Sequence, residues 1–209
     1  NRTIHIIGLN IDGKNKLMAE KCKKLKKMRK ERAEKISLKL SKVGIEGAYE
    51  YTKKIAKNGN ITRYHFAQFL IEKKYARNLT DVFKRFLVKN KPGYVSTNWP
   101  NLDETINLIN IAGGVAVIAH TLRYKITATK LRKLIEEFKN CGGKAIEVIT
   151  SHNILKEVAI ASDYAKKYNL AASIGSDFHN EKTSWNKLGG LPLLPDNLLP
   201  VWKLWKENN

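Results

Sequence analysis

Leu170-Ala171-Ala172-Ser173-Ile174 is followed directly by Gly175-Ser176-Asp177-Phe178-His179. The first five residues form an apolar run closed by glycine, which reads as a buried strand. Asp177 and His179 stand two apart with Phe178 between them. If the chain stays extended past the strand end, both point the same way and Phe178 points into the core. A carboxylate and an imidazole converging at the mouth of a strand suit a divalent metal. By itself the pentapeptide reads first as a polar turn with an Asp cap and a surface His.

Working back from this stretch, helix and strand alternate. Ile154 to Tyr168 has the period of a helix and leads into the strand at Leu170; Ala145 to Ile149 is the strand before it. Ala128 to Asn140 is a helix, Val115 to Ala119 a strand ending at His120, and Leu102 to Ala112 a helix stopped by Gly113-Gly114. Continuous apolar strands alternating with helices predict a parallel sheet or a βα barrel. A closing helix is expected over Leu198 to Trp205, with Trp202 and Trp205 inward.

The texture differs between about residues 13 and 100, which read almost wholly as helix. Lys16 to about Val43 is a long helix with an intermittent apolar face of Leu17, Leu25, Met28, Ile36, Leu40 and Val43. Ala48 to Asn58 forms the next. Thr62 is a good N-cap for a third, placing Arg63 and His65 in a first turn whose amides attract anions. Another begins at Thr80. Arg29 and Arg32 lie i,i+3 on one face, able to act on one anion together. Before this block, Thr3 to Gly8 reads as a strand containing His5.

Catalytic groups of βα barrels gather at the C-terminal ends of strands. His120, Asp177 and His179 follow strands and His5 lies in one, so three separate strands bring four metal-type ligands together. His152 also follows a strand, but Asn153 caps the next helix and leaves His152 in a loop. Glu147, inside its strand, either supports a ligand from behind or is a salt-bridged wall residue.

The chain has 209 residues and a net charge of +20, which invites a polyanionic partner. With 31 Lys against 8 Arg, the charge reflects a lysine-rich composition more than a built phosphate surface. Arg, which grips phosphate bidentately, is the more informative cation. No run approaches the roughly 20 apolar residues of a membrane span. Cys22 and Cys141 match no disulfide framework or zinc motif, which fits a reducing cytoplasm.

Ile4-His5-Ile6-Ile7-Gly8, Ala119-His120 and Gly175-Ser176-Asp177-Phe178-His179, with Trp185 and Leu188-Gly189 beyond, resemble the later motifs of PHP (polymerase and histidinol phosphatase) domain phosphoesterases. Arg29-x-x-Arg32, Thr62-Arg63-Tyr64-His65-Phe66-Ala67 and Gly93-Tyr94-Val95 are similar to the bacterial branch of 3′,5′-nucleoside bisphosphate phosphatases and 5′-to-3′ exoribonucleases. The resemblance implies a distorted (βα)7 TIM-like barrel over residues 1–12 and 101–209, with an inserted helical, substrate-capping subdomain over 13–100. It implies up to three divalent ions, usually Mn²⁺, with His5, His120, Asp177 and His179 as metal ligands. Arg29, Arg32, Arg63 and His65 take the phosphate-contacting positions. The implied substrates are nucleotides or RNA 5′ ends, with no membrane and no stable protein partner.

Two departures accompany the resemblance. The family's earlier His-x-His, His and Glu motifs fall before the position of His5, so the barrel is expected to be N-terminally incomplete in a chain that opens at Asn1. The family's Ala-His-Pro is here Ala119-His120-Thr121, which removes no ligand and is expected to relax the loop. The competing readings are an inactive PHP remnant, a basic RNA-binding protein, and a histidinol-phosphate-type phosphatase.

Overall fold

The computed structural model describes residues 3–57, 59–151, 154–178 and 189–205. The structure divides into two compact units: Asn1–Met18 with Trp99–Asn209, and Ala19–Asn98. The first, the sheet unit, carries β1 (Ile6–Leu9), β2 (Val115–Ile118), β3 (Ala145–Thr150) and β4 (Ala171–Gly175), side by side in that order. β2, β3 and β4 run parallel, as the αβ alternation requires, but β1 runs antiparallel to β2, with Ile6 opposite Ile118. The antiparallel first strand departs from the parallel arrangement that the alternation alone predicts.

That reversal matters for His5. The residue precedes β1 instead of lying within it, and antiparallel pairing carries the start of β1 to the edge where β2 ends. His5 therefore reaches the C-terminal edge of the parallel strands from the opposite chain direction.

Side chains alternate across the strands with period two. Ala116 and Ile118 join one core cluster with Ile135, Phe138, Ala161 and Ala165, whereas Val115 and Val117 face the other way with Ala145, Ala171 and Val201. The helix-side cover comes from α5 (Leu102–Ile111), α6 (Ala128–Asn140) and α7 (Leu155–Tyr168). In α6, Leu131, Ile135 and Phe138 recur at i, i+4 and i+7 and are all buried, and Thr127 caps the helix by accepting from Lys130 N. The closing segment is only a 3₁₀ turn, Val201–Leu204. Val201 and Leu198 are buried, while Trp202 and Trp205 are exposed, contrary to the inward packing expected of them. A single short turn presents too narrow an apolar face to bury two indoles as well as Val201.

The helical unit holds most of α1 (Lys16–Ser41), then α2 (Ala48–Ala56), α3 (Arg63–Glu72) and α4 (Leu79–Val82), which runs on into a π-helical turn, Phe83–Leu87. Its core is Ile36, Leu40, Phe66, Phe69, Leu70 and Leu87. Within this unit the buried residues of α1 are Ala33, Ile36 and Leu40, whereas Leu17 and Val43, expected on the same apolar face, are exposed. Gly93 closes this unit at close quarters. A Cβ there would lie 3.0 Å from Leu87 Cδ2 and 3.1 Å from both Leu40 Cδ2 and the Phe86 carbonyl oxygen. Among the described residues, no helix is long and apolar enough to cross a membrane.

Candidate active site

At the C-terminal edge of the parallel strands, His120 Nε2 lies 3.0 Å from His5 Nδ1, the rings meeting edge to face. His120 is held in the left-handed backbone region, φ 35°, where a side chain is strained. Three contacts hold it there. Its backbone N–H donates to Glu147 Oε2, and Thr121 Oγ1 donates to the Glu147 carbonyl at 3.2 Å. Tyr124 accepts from His5 N at 2.9 Å and donates to the Ala119 carbonyl at 3.0 Å. Thr121, which stands where the family has proline, ties the loop to β3. Burial pushes the Tyr124 phenol up to about 12, which keeps its donor proton at any ordinary pH. Tyr124→Phe is expected to leave the His5 N–H unpaired and to destabilise the sheet unit by about 1–3 kcal/mol, read as a lower urea midpoint.

Burial lowers the pKa of His120, His5 adds to that effect, and Asp177 opposes it. The ring is therefore neutral at pH 7. Its Nδ1 is buried and, among the described residues, has no hydrogen-bond partner. A proton on Nε2, donated to His5, is the less costly tautomer, since it leaves a lone pair and not an N–H without a partner.

Glu147 was legible only as a strand residue of uncertain role, and its place is now defined. It is buried at 7% exposure. Burial raises its carboxyl pKa first of all, the His120 N–H pulls it back, Asp177 raises it again and Arg123 lowers it. The register of β3 against β4 shifts between Glu147 and Ile149, an irregularity that re-aims neighbouring side chains. Gly175 makes room: a Cβ there would sit 2.1 Å from Glu147 Oε1.

Asp177 follows β4 but has φ 52°, so the chain does not stay extended past the strand end. The premise that Asp177 and His179 point the same way does not hold at Asp177; His179, Trp185, Leu188 and His152 lie outside the described residues. Asp177 Oδ2 instead receives Arg123 Nη1 at 2.9 Å. Arg123 Nη2 also donates to the Ser151 carbonyl, and Ser151 Oγ to the Ser176 carbonyl, joining the loops after β2, β3 and β4. A cavity of about 110 Å³ is lined by His120, Arg123, Glu147, Ser151 and Glu157. Arg123 and Tyr124 went unnoticed in the sequence because nothing in their spacing separates them from surface residues.

A His120 ring with an orphaned nitrogen, a second imidazole beside it and carboxylates are the donor chemistry of a divalent metal, and to that extent the residues fit one. Among the described residues, no three His, Cys, Asp or Glu side chains come close enough to hold an ion by themselves.

The remaining candidates lie in the helical unit. Burial lowers the pKa of Arg32, and the neighbouring charges of Arg63 and Arg29 lower it further. Arg63 and Arg29 are therefore both near enough to repel the Arg32 guanidinium. Arg32 Nε donates to the Val95 carbonyl at 3.4 Å, and Arg63 lies 5.7 Å over the Phe83 ring. His65 is the third residue of α3 and completes a capping box: its Nδ1 accepts from Thr62 N at 3.0 Å. The neutral ring consequently carries its proton on Nε2, a donor available to an anion.

The cap also gives a pH dependence. Burial lowers the pKa of His65, so the unfolded chain takes up its proton first as pH falls. The stability it contributes is complete above roughly pH 6.5, the ordinary histidine value, and declines as pH drops below it. His65→Gln retains a capping acceptor and does not titrate. Its melting temperature is expected to fall less than that of the wild-type protein between pH 8 and 5.5.

The C-terminal edge of the parallel strands thus gathers His120, Glu147 and Asp177, with His5 brought there by the antiparallel β1, in an α/β chain that also carries an arginine cluster in its helical unit. No family model matches the chain. It is 39% identical over 207 residues to the 5′-3′ exoribonuclease Rnm of Escherichia coli, covering 99% of this chain and 70% of that protein. It is 35% identical over 202 residues to a 3′,5′-nucleoside bisphosphate phosphatase of Chromobacterium violaceum, covering 96% and 71%. A solved amidohydrolase from Chromobacterium violaceum, with bound sulfate and no metal, superimposes with a TM-score of 0.86 at 34% identity, over 98% of this chain and 71% of that one. The chain belongs to the family of phosphoric ester hydrolases that contains these exoribonucleases and this bisphosphate phosphatase.

Proposed function

We propose that the protein is a divalent-metal-dependent phosphoesterase of the PHP type acting on nucleotide phosphoesters, as a 3′,5′-nucleoside bisphosphate phosphatase, a 5′-to-3′ exoribonuclease, or both. The observation that carries this is the 3.0 Å contact of His5 and His120 at the strand edge where Asp177 also lies. The barrel in this reading is the distorted seven-stranded form, of which the described residues contribute four strands.

His5, His120 and Asp177 contribute metal ligands in this reading, together with ligands outside the described residues, His179 among them by the family resemblance; Mn²⁺ is the proposed ion. When bound, a divalent cation supplies a nucleophilic water at neutral pH and offsets charge gathering on the phosphoryl oxygens. Glu147 holds the backbone of His120, and Tyr124 holds that of His5, so the imidazoles are oriented before substrate arrives. Arg29, Arg32, Arg63 and the Nε2–H of His65 bind substrate phosphate. Crowded guanidinium groups are stabilised by an anion, and the sulfate bound by the 34%-identical relative supports an anion-binding character in this family.

Purified protein with Mn²⁺ is expected to release phosphate from adenosine 3′,5′-bisphosphate or mononucleotides from 5′-phosphorylated RNA, and to lose both activities in EDTA. No release from protein that demonstrably binds Mn²⁺ would overturn the reading. A second reading, sequence-independent RNA binding, draws on one observation: residues 19–98 carry 22 Lys and Arg against 7 Asp and Glu, most of the net +20. Its mark is metal-independent RNA affinity that falls steeply with salt.

A further inference from the structure

We infer that Arg123 is a substrate-contacting residue held on Asp177 until a divalent cation takes that carboxylate, after which its guanidinium grips the phosphoryl group. The inference rests on the proposed phosphoesterase activity and concerns a residue outside the family motifs quoted above.

The geometry is that of a cation held by a site built for another. Arg123 Nη1 lies 2.9 Å from Asp177 Oδ2, while Nη2 donates to the Ser151 carbonyl. Arg123 also acts on the charge of Glu147, with which it lines the same cavity, so its guanidinium sits against Asp177 and the Ser151 carbonyl with a second carboxylate near by. The side chains of Arg123 and Asp177 are 35% and 29% exposed, open enough for an ion to reach them. The adjoining cavity of about 110 Å³ has His120, Arg123 and Ser151 on its wall, so the released guanidinium has space beside the His120 imidazole.

Elementary electrostatics favours the exchange. A carboxylate oxygen approaches a small divalent ion to about 2.0–2.1 Å. The guanidinium nitrogen stands 2.9 Å away with a single, delocalised charge. Charge over distance is therefore roughly threefold greater for the ion, so the ion displaces Arg123 from Asp177 and not the reverse. A freed guanidinium beside a bound dication is repelled by it unless an anion lies between them, and a phosphoryl group is such an anion, matched to the guanidinium fork. The Arg123–Asp177 pair also keeps two acidic groups from facing each other without a counter-charge before the metal binds.

The test measures ion and anion binding directly in the full chain. In wild-type protein, the Arg123 Nε–Hε NMR signal, assigned by its loss in Arg123→Lys, is expected to shift on saturation with Mg²⁺ and again on adding AMP. Arg123→Ala is expected to bind Mn²⁺ roughly tenfold more tightly, by electron paramagnetic resonance of free Mn²⁺, because its competitor is gone. The same variant is expected to bind AMP at least tenfold more weakly in Mg²⁺, with Arg123→Lys between it and the wild type. An Arg123 signal unmoved at Mg²⁺ saturation, a chain that takes up no divalent ion, or unchanged or weaker Mn²⁺ binding by Arg123→Ala would each overturn the inference. These readouts need no turnover. A protein that shows the exchange but hydrolyses nothing refutes the proposed activity alone, and one that hydrolyses with Arg123 unmoved refutes the exchange alone.

Discussion

Gly175→Ala is expected to lower Mn²⁺ affinity and hydrolysis of adenosine 3′,5′-bisphosphate by roughly ten- to a hundredfold, the usual effect of disturbing a group that orients a metal ligand. The new Cβ would stand 2.1 Å from Glu147 Oε1, closer than any non-bonded contact permits. Either the Glu147 carboxylate moves or β4 does. The first is easier, because a side chain rotates at less cost than a paired strand shifts. Glu147 then leaves the His120 N–H, and His120, already in a strained left-handed conformation, loses the contact that holds it there. Since Gly175 has no side chain to offer an ion and its added Cβ meets Glu147, a loss of activity with the melting temperature lowered by only a few degrees would trace the effect through Glu147. Glu147→Ala in the Gly175→Ala background separates the two. With no carboxylate to displace, the second substitution should add little to the first, whereas fully additive losses would show that Gly175 acts by another route.

The second large effect belongs to the helical unit. Arg63→Ala is expected to raise KM for adenosine 3′,5′-bisphosphate by roughly ten- to a hundredfold, since a hydrogen bond to a charged group contributes about 1.5–3 kcal/mol. The loss for a substrate with one phosphate should be several-fold smaller. Arg32, whose pKa is lowered by burial and by Arg63 and Arg29, gains from the same substitution. Removing a charge that repels Arg32 relieves the unliganded unit, partly offset by loss of the Arg63–Phe83 contact. Poor binding with nearly wild-type stability is the signature of charges kept together for a ligand. Equal losses on one-phosphate and two-phosphate substrates would refute the preference for a bisphosphate, and a stability loss matching the binding loss would recast Arg63 as structural.

Much of the fold was written in short-range patterns. The helix expected at Ala128 to Asn140 forms with those bounds, and Thr62 caps α3 with Arg63 and His65 in its first turn. Periodicity and capping depend on residues three or four positions apart, so the sequence displays them directly. The π-helical turn after α4 was not legible, because Phe83 to Leu87 has an ordinary helical composition. Nor was the exposure of Trp202 and Trp205, which depends on how little helix forms around them.

The candidate site divides along the same line. Glycine before Ser-Asp-Phe-His, histidine after an apolar strand and arginines at helical spacing are local facts, and they identified His5, His120, Asp177, Arg29, Arg32, Arg63 and His65 as residues to follow. The sequence by itself therefore determined the elements, their αβ alternation and the residue types that could hold an ion or a phosphate. Tertiary structure alone decided that β1 runs antiparallel and carries His5 to His120, across 115 positions of chain. It also decided that Glu147 fills the space left by Gly175, and that Asp177 is held by Arg123, 54 residues earlier. Those outcomes depend on excluded volume and on charges a few ångströms apart, quantities that exist only once distant segments of the chain share one space.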